Sequence, residues 1–364
     1  MVPSASQNAQ ISAILGRRAR ATTRTSLPAK IVGSIDVPST GNHTDSRALD
    51  RSSAATSSGR GLMFADLPVR LTVIDPGLAT EIRELFGPMA EHPGPYEAEI
   101  VVEPHAPAKP ERAPDEFYEV ISLWRDGDEL LVDSGGTLRA HATASRVVIG
   151  GATGEGPAGA VMLRRIVHHV IAHLLSLNGR LVAHGAAVGK DGKAVLLLGG
   201  SGAGKSTSAY LASLAGWSLL SDDLVVVRRD DRGVEAVGIH RALAVPPDVS
   251  EADAAGIEFD FRGRRRPNVI LDARSFQIAA VAVVAHGVGD GRLDVLTGVD
   301  IARVFLASAP AAGNTDVAAE VLRSAGVLAT LPCFQLFLPD TAQGRLARVG
   351  GLFDEIARRA GIAD

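Results

Sequence analysis

The segment at 199–207 contains the residues whose types and spacing most directly indicate chemistry. It reads GGSGAGKST and fits the pattern G-x-x-x-x-G-K-[S/T], with Gly199, Gly204, Lys205 and Ser206 at the fixed positions. Such a loop surrounds a polyphosphate with backbone N–H groups, while its lysine reaches the outer phosphates and its hydroxyl is a ligand for Mg²⁺. The segment therefore predicts a site for ATP and Mg²⁺. The predicted nucleotide-binding residues are Gly199, Gly200, Ser201, Gly202, Ala203, Gly204, Lys205, Ser206 and Thr207.

The residues on both sides of this loop support the prediction. The apolar run at 194–198 is typical of a buried strand, and the residues from 206 to 215 have the composition of a helix. Strand, loop and helix thus occur in the required order, and the positive end of the helix dipole would face the bound phosphates. A glycine-rich turn that binds nothing is the alternative.

A histidine upstream is predicted to lie beside the loop. Residues 180–198 read as two strands joined by a tight turn at 190–192, where an Asp-Gly pair is a strong hairpin signal. Counting back from the turn pairs His184 with residues 197–199, at the mouth of the loop. This position favours a functional role for His184 over that of a structural core histidine.

Two adjacent acids follow the next strand. Asp222 and Asp223 follow a short apolar strand at 217–220, with one serine between. In a right-handed βαβ unit that strand is parallel to the one ending at Leu198, so both acids would face the crevice of the loop. One carboxylate can hold Mg²⁺ and the other can accept a hydroxyl proton. The alternative is a turn between two strands, since 224–227 also has the pattern of a strand.

Taken together, His184, Gly185, the loop 199–207 and the pair Asp222 and Asp223 resemble the catalytic domain of the HPr serine kinase/phosphorylase family. The numbers of positions that separate the histidine, the lysine and the acids along the chain are similar to those in that family. The resemblance implies an α/β, phosphoenolpyruvate-carboxykinase-like P-loop fold. It also implies transfer of a phosphoryl group from ATP, with Mg²⁺, to a serine hydroxyl.

The resemblance also implies a role for each residue. Lys205 and Ser206 would bind phosphate and metal. Asp222 would be the base that activates the serine, His184 would tune that acid, and Asp223 would support the metal.

Two departures from the family's pattern limit the choice of acceptor. Thr207 stands where a glutamate usually follows the Lys-Ser pair, and residues 234–241 replace the family's Glu-x-Arg-Gly segment. The chain is therefore more similar to HPr-kinase-related proteins that phosphorylate a serine in a peptide or small protein. The alternatives are a kinase for free serine or a similar metabolite, and a nucleotide-dependent switch or assembly ATPase without an acceptor.

The residues before the predicted catalytic domain at 151–364 are expected to form two further parts. Residues 1–60 show no sustained apolar period, so they are predicted to be a disordered tail or a misassigned start. Residues 61–150 are predicted to be a small α+β domain, and the glycine-rich 150–159 a hinge. The elements predicted in the small domain are strands at 68–74, 96–102, 117–124 and 129–132 and a helix at 79–85.

Two further segments give weaker indications of a functional site. A helix predicted at 161–177 contains His168, His169 and His173, of which the last two have the spacing of a metal pair, although a packing role is favoured. A basic loop at 262–266 carries Arg262, Arg264, Arg265 and Arg266. Such a loop either is solvated or stabilises the transferring phosphoryl group.

The bulk composition excludes several classes of function. A net charge of -4 and a pI near 6.2 argue against a sequence-independent nucleic-acid binder. No run of about 18 apolar residues predicts a membrane span. The single cysteine, Cys333, lies in an apolar stretch, which predicts a buried thiol and fits the reducing cytoplasm. A homo-oligomer is compatible with the sequence.

Overall fold

The computed structural model describes most of the chain from residue 59 onward, within the unit Thr56–Asp364. The first strand begins at Gly59, inside the predicted tail, and residues 1–58 lie outside the described part. The division into domains at residue 150 stays a prediction. The described residues are 59–86, 91–118, 121–136, 138–152, 157–239, 258–259, 265–266, 272, 274–287, 289–309 and 315–362.

The N-terminal part contains a mixed sheet and one helix. The sheet has the order β1-β2-β3-β8-β7-β6-β5-β4, in which β3 is parallel to both of its neighbours. The elements are β1 (Gly59–Phe64), β2 (Leu67–Val73), α1 (Ala79–Phe86), β3 (Ala98–Glu103), β4 (Glu116–Tyr118), β5 (Ile121–Asp126), β6 (Glu129–Asp133), β7 (Arg139–Ala142) and β8 (Arg146–Gly150).

The elements predicted in this part are confirmed, except that the single strand at 117–124 is wrong. Two antiparallel strands, β4 and β5, occupy that stretch, with Tyr118 opposite Ile121. The strands of a hairpin share one sheet, so alternating apolar residues continue through both and do not reveal the reversal.

The C-terminal part contains the second mixed sheet and the remaining described helices. Its elements are α2 (Pro157–Leu177), β9 (Leu181–His184), β10 (Ala186–Lys190), β11 (Lys193–Leu198), α3 (Lys205–Leu214), β12 (Ser218–Ser221), β13 (Leu224–Asp230), β14 (Gly233–Gly238), β15 (Glu258–Phe259), β16 (Arg265–Arg266), β17 (Phe276–His286), β18 (Arg292–Val295), α4 (Gly298–Ser308), α5 (Thr315–Leu328), β19 (Cys333–Leu338) and α6 (Ala342–Ala360). Helix α2 includes residues 157–159 of the predicted hinge, so these residues are helical.

Strand β11, which leads into the glycine-rich loop, is buried on both faces. Its side chains alternate between two apolar clusters, with Val195 and Leu197 in the cluster that contains α3 and α6. Ala194, Leu196 and Leu198 belong to the cluster that contains α4 and α5. Covering helices on both faces explain why the strand reads as a continuous apolar run, and they hold the start of the loop in place.

The two ends of the second sheet are connected by very short links. The sheet has the order β12-β10-β11-β17-β14-β13-β9, with β19 beside β17 and β18 beside β19. Only Gly185 separates β9 from β10, and only Asp222 and Asp223 separate β12 from β13, although each pair lies at opposite ends of this order. The Gly185 N–H donates to the Asp223 carbonyl over 3.2 Å. The links therefore bring the sheet edges together where the candidate residues lie.

Glycine is required at the link between β9 and β10. A Cβ added to Gly185 would lie 2.8 Å from the carbonyl oxygen of Leu197, closer than van der Waals contact allows. The direction predicted for β12 is correct, since β12 and β11 are both antiparallel to β10 and therefore parallel to each other.

Cys333 is buried at the start of β19, as predicted, and is 4% exposed. Burial raises the pKa of its thiol to about 11. Because the thiolate is the reactive form, we expect the native protein not to react with Ellman's reagent at pH 8. One thiol should react once guanidinium unfolds the chain. Rapid reaction of the native protein would contradict the burial of this side chain.

None of the helices in the described residues has the length and apolar character needed to cross a membrane.

Candidate functional site

The predicted phosphate-binding loop joins β11 to α3 and depends on its glycines. Gly199, Gly202 and Gly204 have φ values of 141°, 77° and 98°, a region that side chains with a Cβ rarely adopt. Space is restricted as well, because a Cβ on Gly204 would lie 2.4 Å from a methyl group of Leu338. The pattern of glycines read from the sequence thus corresponds to a backbone that needs them.

Helix α3 begins at Lys205, within the predicted loop 199–207, so its N-terminus lies at the loop. Gly204 is the N-cap residue and contributes no side-chain cap. The first N–H groups of a helix have no partner within the helix and carry its positive dipole end. They are available to an anion held by the loop, with Ser206 in the first helical turn.

Lys205 is buried, and its ammonium group is held on three sides. Its Nζ lies 3.0 Å from the Gly199 carbonyl, 3.1 Å from the Gly200 carbonyl and 3.2 Å from His184 Nε2. An ammonium group has three hydrogens, so these acceptors use all of them. Burial lowers the pKa of Lys205, while the negative charges of Asp223 and Asp222 act in the opposite direction.

His184 reaches the loop by a different pairing from the predicted one. The hairpin register holds for β10 and β11, where Ala186 is opposite Leu197. His184 itself lies in β9 and pairs with Leu224 of β13, so its predicted pairing with 197–199 is wrong. The single strand predicted here is interrupted at Gly185. The residues before the interruption form β9, which lies at the opposite end of the sheet from β10. The side chain nevertheless lies next to Lys205, because the two sheet edges meet there.

His184 contacts Asp223 of the acid pair. Its Nδ1 lies 3.0 Å from the Asp223 carbonyl oxygen and 3.2 Å from Asp223 Oδ1. Since Nε2 accepts a hydrogen from Lys205, the proton of a neutral imidazole is on Nδ1 and is donated to Asp223. Asp223 has a φ of 80°, a left-handed conformation that Asp tolerates better than most residues.

A second histidine, His168 of α2, also contacts Asp223. Its Nδ1 lies 2.9 Å from Asp223 Oδ2, so each carboxylate oxygen has an imidazole nitrogen within hydrogen-bond distance. The sequence did not single out this residue. The sequence shows only that one helix carries three histidines. The path of α2 past the β12–β13 link decides which of them contacts Asp223.

The contacts and burial of the other two histidines of α2 fit the packing role that the sequence favours. His173 Nε2 lies 2.9 Å from the backbone carbonyl of Asp128, in the link between β5 and β6. Burial lowers the pKa of His169 to about 4, so this imidazole is neutral at pH 7. His173 therefore attaches the helix to the N-terminal sheet, as expected for a packing role.

Two sets of side chains in this region have the chemistry to bind a metal ion, one with two imidazoles and one with oxygen atoms alone. Nitrogen or oxygen atoms of His168, His184 and Asp223 lie within 4.8 Å of one another. A cation bound by both imidazoles would, however, lie close to the ammonium group of Lys205. Mg²⁺ prefers oxygen ligands, and the Ser206 hydroxyl and the Asp223 carboxylate supply them at the start of α3 and at the β12–β13 link. These residues fit Mg²⁺ better than the two imidazoles do.

The basic loop is described only in part. Arg265 and Arg266 form β16, which pairs with β15, whereas Arg262 and Arg264 lie outside the described residues.

Comparisons with known proteins give similarity to solved structures alone. No protein-family model matches the chain, and no curated protein is significantly similar to it. Among solved structures, the Hpr(Ser) kinase/phosphatase from Coxiella burnetii is similar over 50% of this chain and 98% of its own. The TM-score is 0.27 and the sequence identity 11%. The proposal below therefore rests on the residues of the site.

Proposed function

We propose that this protein is an ATP- and Mg²⁺-dependent kinase that phosphorylates a serine hydroxyl of a peptide or small protein. One observation supports the proposal most strongly. A continuous series of contacts leads from the lysine of the glycine-rich loop, through His184, to Asp223 in the acid pair. A phosphate-binding loop and carboxylates next to each other are what phosphoryl transfer to a hydroxyl requires.

Lys205 and the start of α3 would hold the nucleotide. On binding, the ammonium group would exchange the carbonyls of Gly199 and Gly200 for phosphate oxygens, which are charged and therefore stronger acceptors. The loop N–H groups and the helix N-terminus would contact the remaining oxygens.

Ser206 and Asp223 would hold Mg²⁺. When bound, the ion neutralises charge on the phosphates and on the leaving group. Carboxylates that ligate metals are usually fixed by hydrogen bonds from neighbouring groups. The contacts of Asp223 with His168 and His184 match that arrangement.

Asp222 would be the general base. In the transfer, the serine oxygen forms a bond to the γ-phosphorus while the bond to the bridging oxygen of ADP breaks. The serine proton passes to the Asp222 carboxylate. His184 acts on this acid indirectly, by fixing its neighbour Asp223. In this proposal residues 151–364 are a phosphoenolpyruvate-carboxykinase-like domain, and 61–150 a separate α+β domain.

The proposal is tested by supplying candidate acceptors together with radiolabelled ATP. The full chain is incubated with [γ-³²P]ATP and Mg²⁺ in three reactions: with free L-serine, with peptides of random sequence that carry one central serine, and with the same peptides carrying alanine. We expect label in the serine peptides and none in the alanine peptides, because only the former carry a hydroxyl at that position.

The other results would each favour a different function. Label in free serine alone would indicate a metabolite kinase. Release of inorganic phosphate at the same rate in all three reactions would indicate a nucleotide-dependent switch or assembly ATPase.

A further inference from the structure

We propose that His168 is a positioning residue that holds the Asp223 carboxylate in its metal-binding orientation. This inference rests on the proposed function, because it assigns Asp223 to Mg²⁺. The contact that suggests it is the 2.9 Å separation of His168 Nδ1 from Asp223 Oδ2. Neither composition nor motif assigns this histidine a role.

The contacts of His184 and His168 with the Asp223 carboxylate are complementary. His184 uses Nε2 as an acceptor for Lys205, so its only proton is on Nδ1. That proton is donated to the Asp223 carbonyl oxygen at 3.0 Å, and Oδ1 lies 3.2 Å from the same nitrogen. His184 thus contacts the backbone and one carboxylate oxygen of Asp223. His168 adds a shorter contact to the other oxygen and fixes the rotation of the group.

His168 is well placed for this purpose because α2 is rigidly packed. Its neighbours Ile166, Val167 and Val170 are fully buried. These side chains belong to the core that joins the first sheet to β9 and β13. The contact of His173 with the Asp128 carbonyl further fixes the helix. A side chain on a packed helix holds its partner more accurately than one on a loop.

Direct ligation of a metal by His168 is the competing interpretation. It would require an ion between His168, His184 and Asp223, with His184 still in contact with the Lys205 ammonium group. The repulsion between the two cations favours the positioning role, in which His168 donates a hydrogen and binds no ion.

The test compares three variants of the full chain, with His184→Ala added to detect direct ligation. His168→Leu keeps much of the side-chain volume but has no donor, whereas His168→Asn places an amide N–H near the position of Nδ1. The matched control is His173→Leu, which removes a buried histidine of the same helix that does not contact Asp223. Mn²⁺ is used as the probe ion, and its binding in the presence of AMP-PNP is followed by electron paramagnetic resonance.

We expect His168→Leu to weaken Mn²⁺ binding by about 10–100-fold, the usual effect of removing a group that orients a ligand. AMP-PNP binding in EDTA should be unchanged, because Lys205 does not contact His168. His168→Asn should restore Mn²⁺ binding to within several-fold of wild type. His173→Leu should lower the melting temperature and leave Mn²⁺ binding unchanged.

Three outcomes would overturn the inference in distinguishable ways. Wild-type Mn²⁺ affinity in His168→Leu would refute it and leave the proposed kinase intact. Failure of the wild-type protein to bind Mn²⁺ with AMP-PNP would refute both. Tight binding of Mn²⁺ or Zn²⁺ without nucleotide, lost in both His168→Leu and His184→Ala, would show that His168 is itself a ligand.

Discussion

Lys205→Ala is expected to abolish ATP binding while the protein remains folded. In the proposed complex this ammonium group makes charge-assisted hydrogen bonds to the outer phosphates, each worth about 1.5–3 kcal/mol. Losing two of them would weaken binding by about 100-fold or more. Titration calorimetry with MgATP measures the loss, and circular dichroism checks the fold.

Two further variants separate the charge from other effects. Lys205→Met keeps a long side chain in this buried position but has no charge, so it should lose ATP binding like the alanine variant. Lys193→Ala removes a lysine at the other end of β11 that contacts the Gly361 carbonyl, and it should bind ATP normally. Wild-type affinity in Lys205→Ala would refute the phosphate-binding loop.

Asp222→Asn is expected to keep MgATP binding within several-fold of wild type and to lose phosphoryl transfer. The amide preserves the shape of the side chain but does not accept the serine proton. Loss of a general base typically lowers the rate by about 10²–10⁴-fold. The measurement is transfer to the serine peptides under single-turnover conditions, with MgATP affinity determined separately.

Asp223→Asn is the comparison that distinguishes the two acids. It removes a negative charge that the proposed Mg²⁺ site requires, so MgATP binding itself should weaken. His184→Ala should lower transfer less than Asp222→Asn, because it acts on the acids only by holding Asp223. If Asp222→Asn loses MgATP binding while Asp223→Asn loses only transfer, the two roles are exchanged. If neither substitution changes turnover, the nucleotide switch replaces the kinase.

Much of the loop region could be predicted from the sequence because its signals are local. The strand, the glycines and the first turn of α3 all lie within 193–214, and each depends on the conformational preferences of its own residues. The Asp-Gly turn likewise predicted the register of β10 with β11. The glycine φ values explain the pattern: the backbone there adopts conformations that other residues rarely allow.

The environment of the acid pair was decided only by the tertiary structure. With the break at Gly185, β9 lies at the far end of the sheet, where His184 pairs with Leu224 instead of residues 197–199. A turn signal specifies register only as far as the strand continues. At the break, a Cβ on Gly185 would lie 2.8 Å from the carbonyl oxygen of Leu197 in another strand, so the need for glycine there depends on the tertiary structure.

The contact of His168 with Asp223 was decided in the same way. Helical spacing shows which residues of α2 share a face, but it does not show which part of the molecule that face meets. His168 and Asp223 are 55 positions apart, and they meet because α2 packs across β9 and the first sheet. The motif thus identifies the chemistry through local conformation, whereas the partners of its acids follow from the pairing of strands and helices distant in the chain.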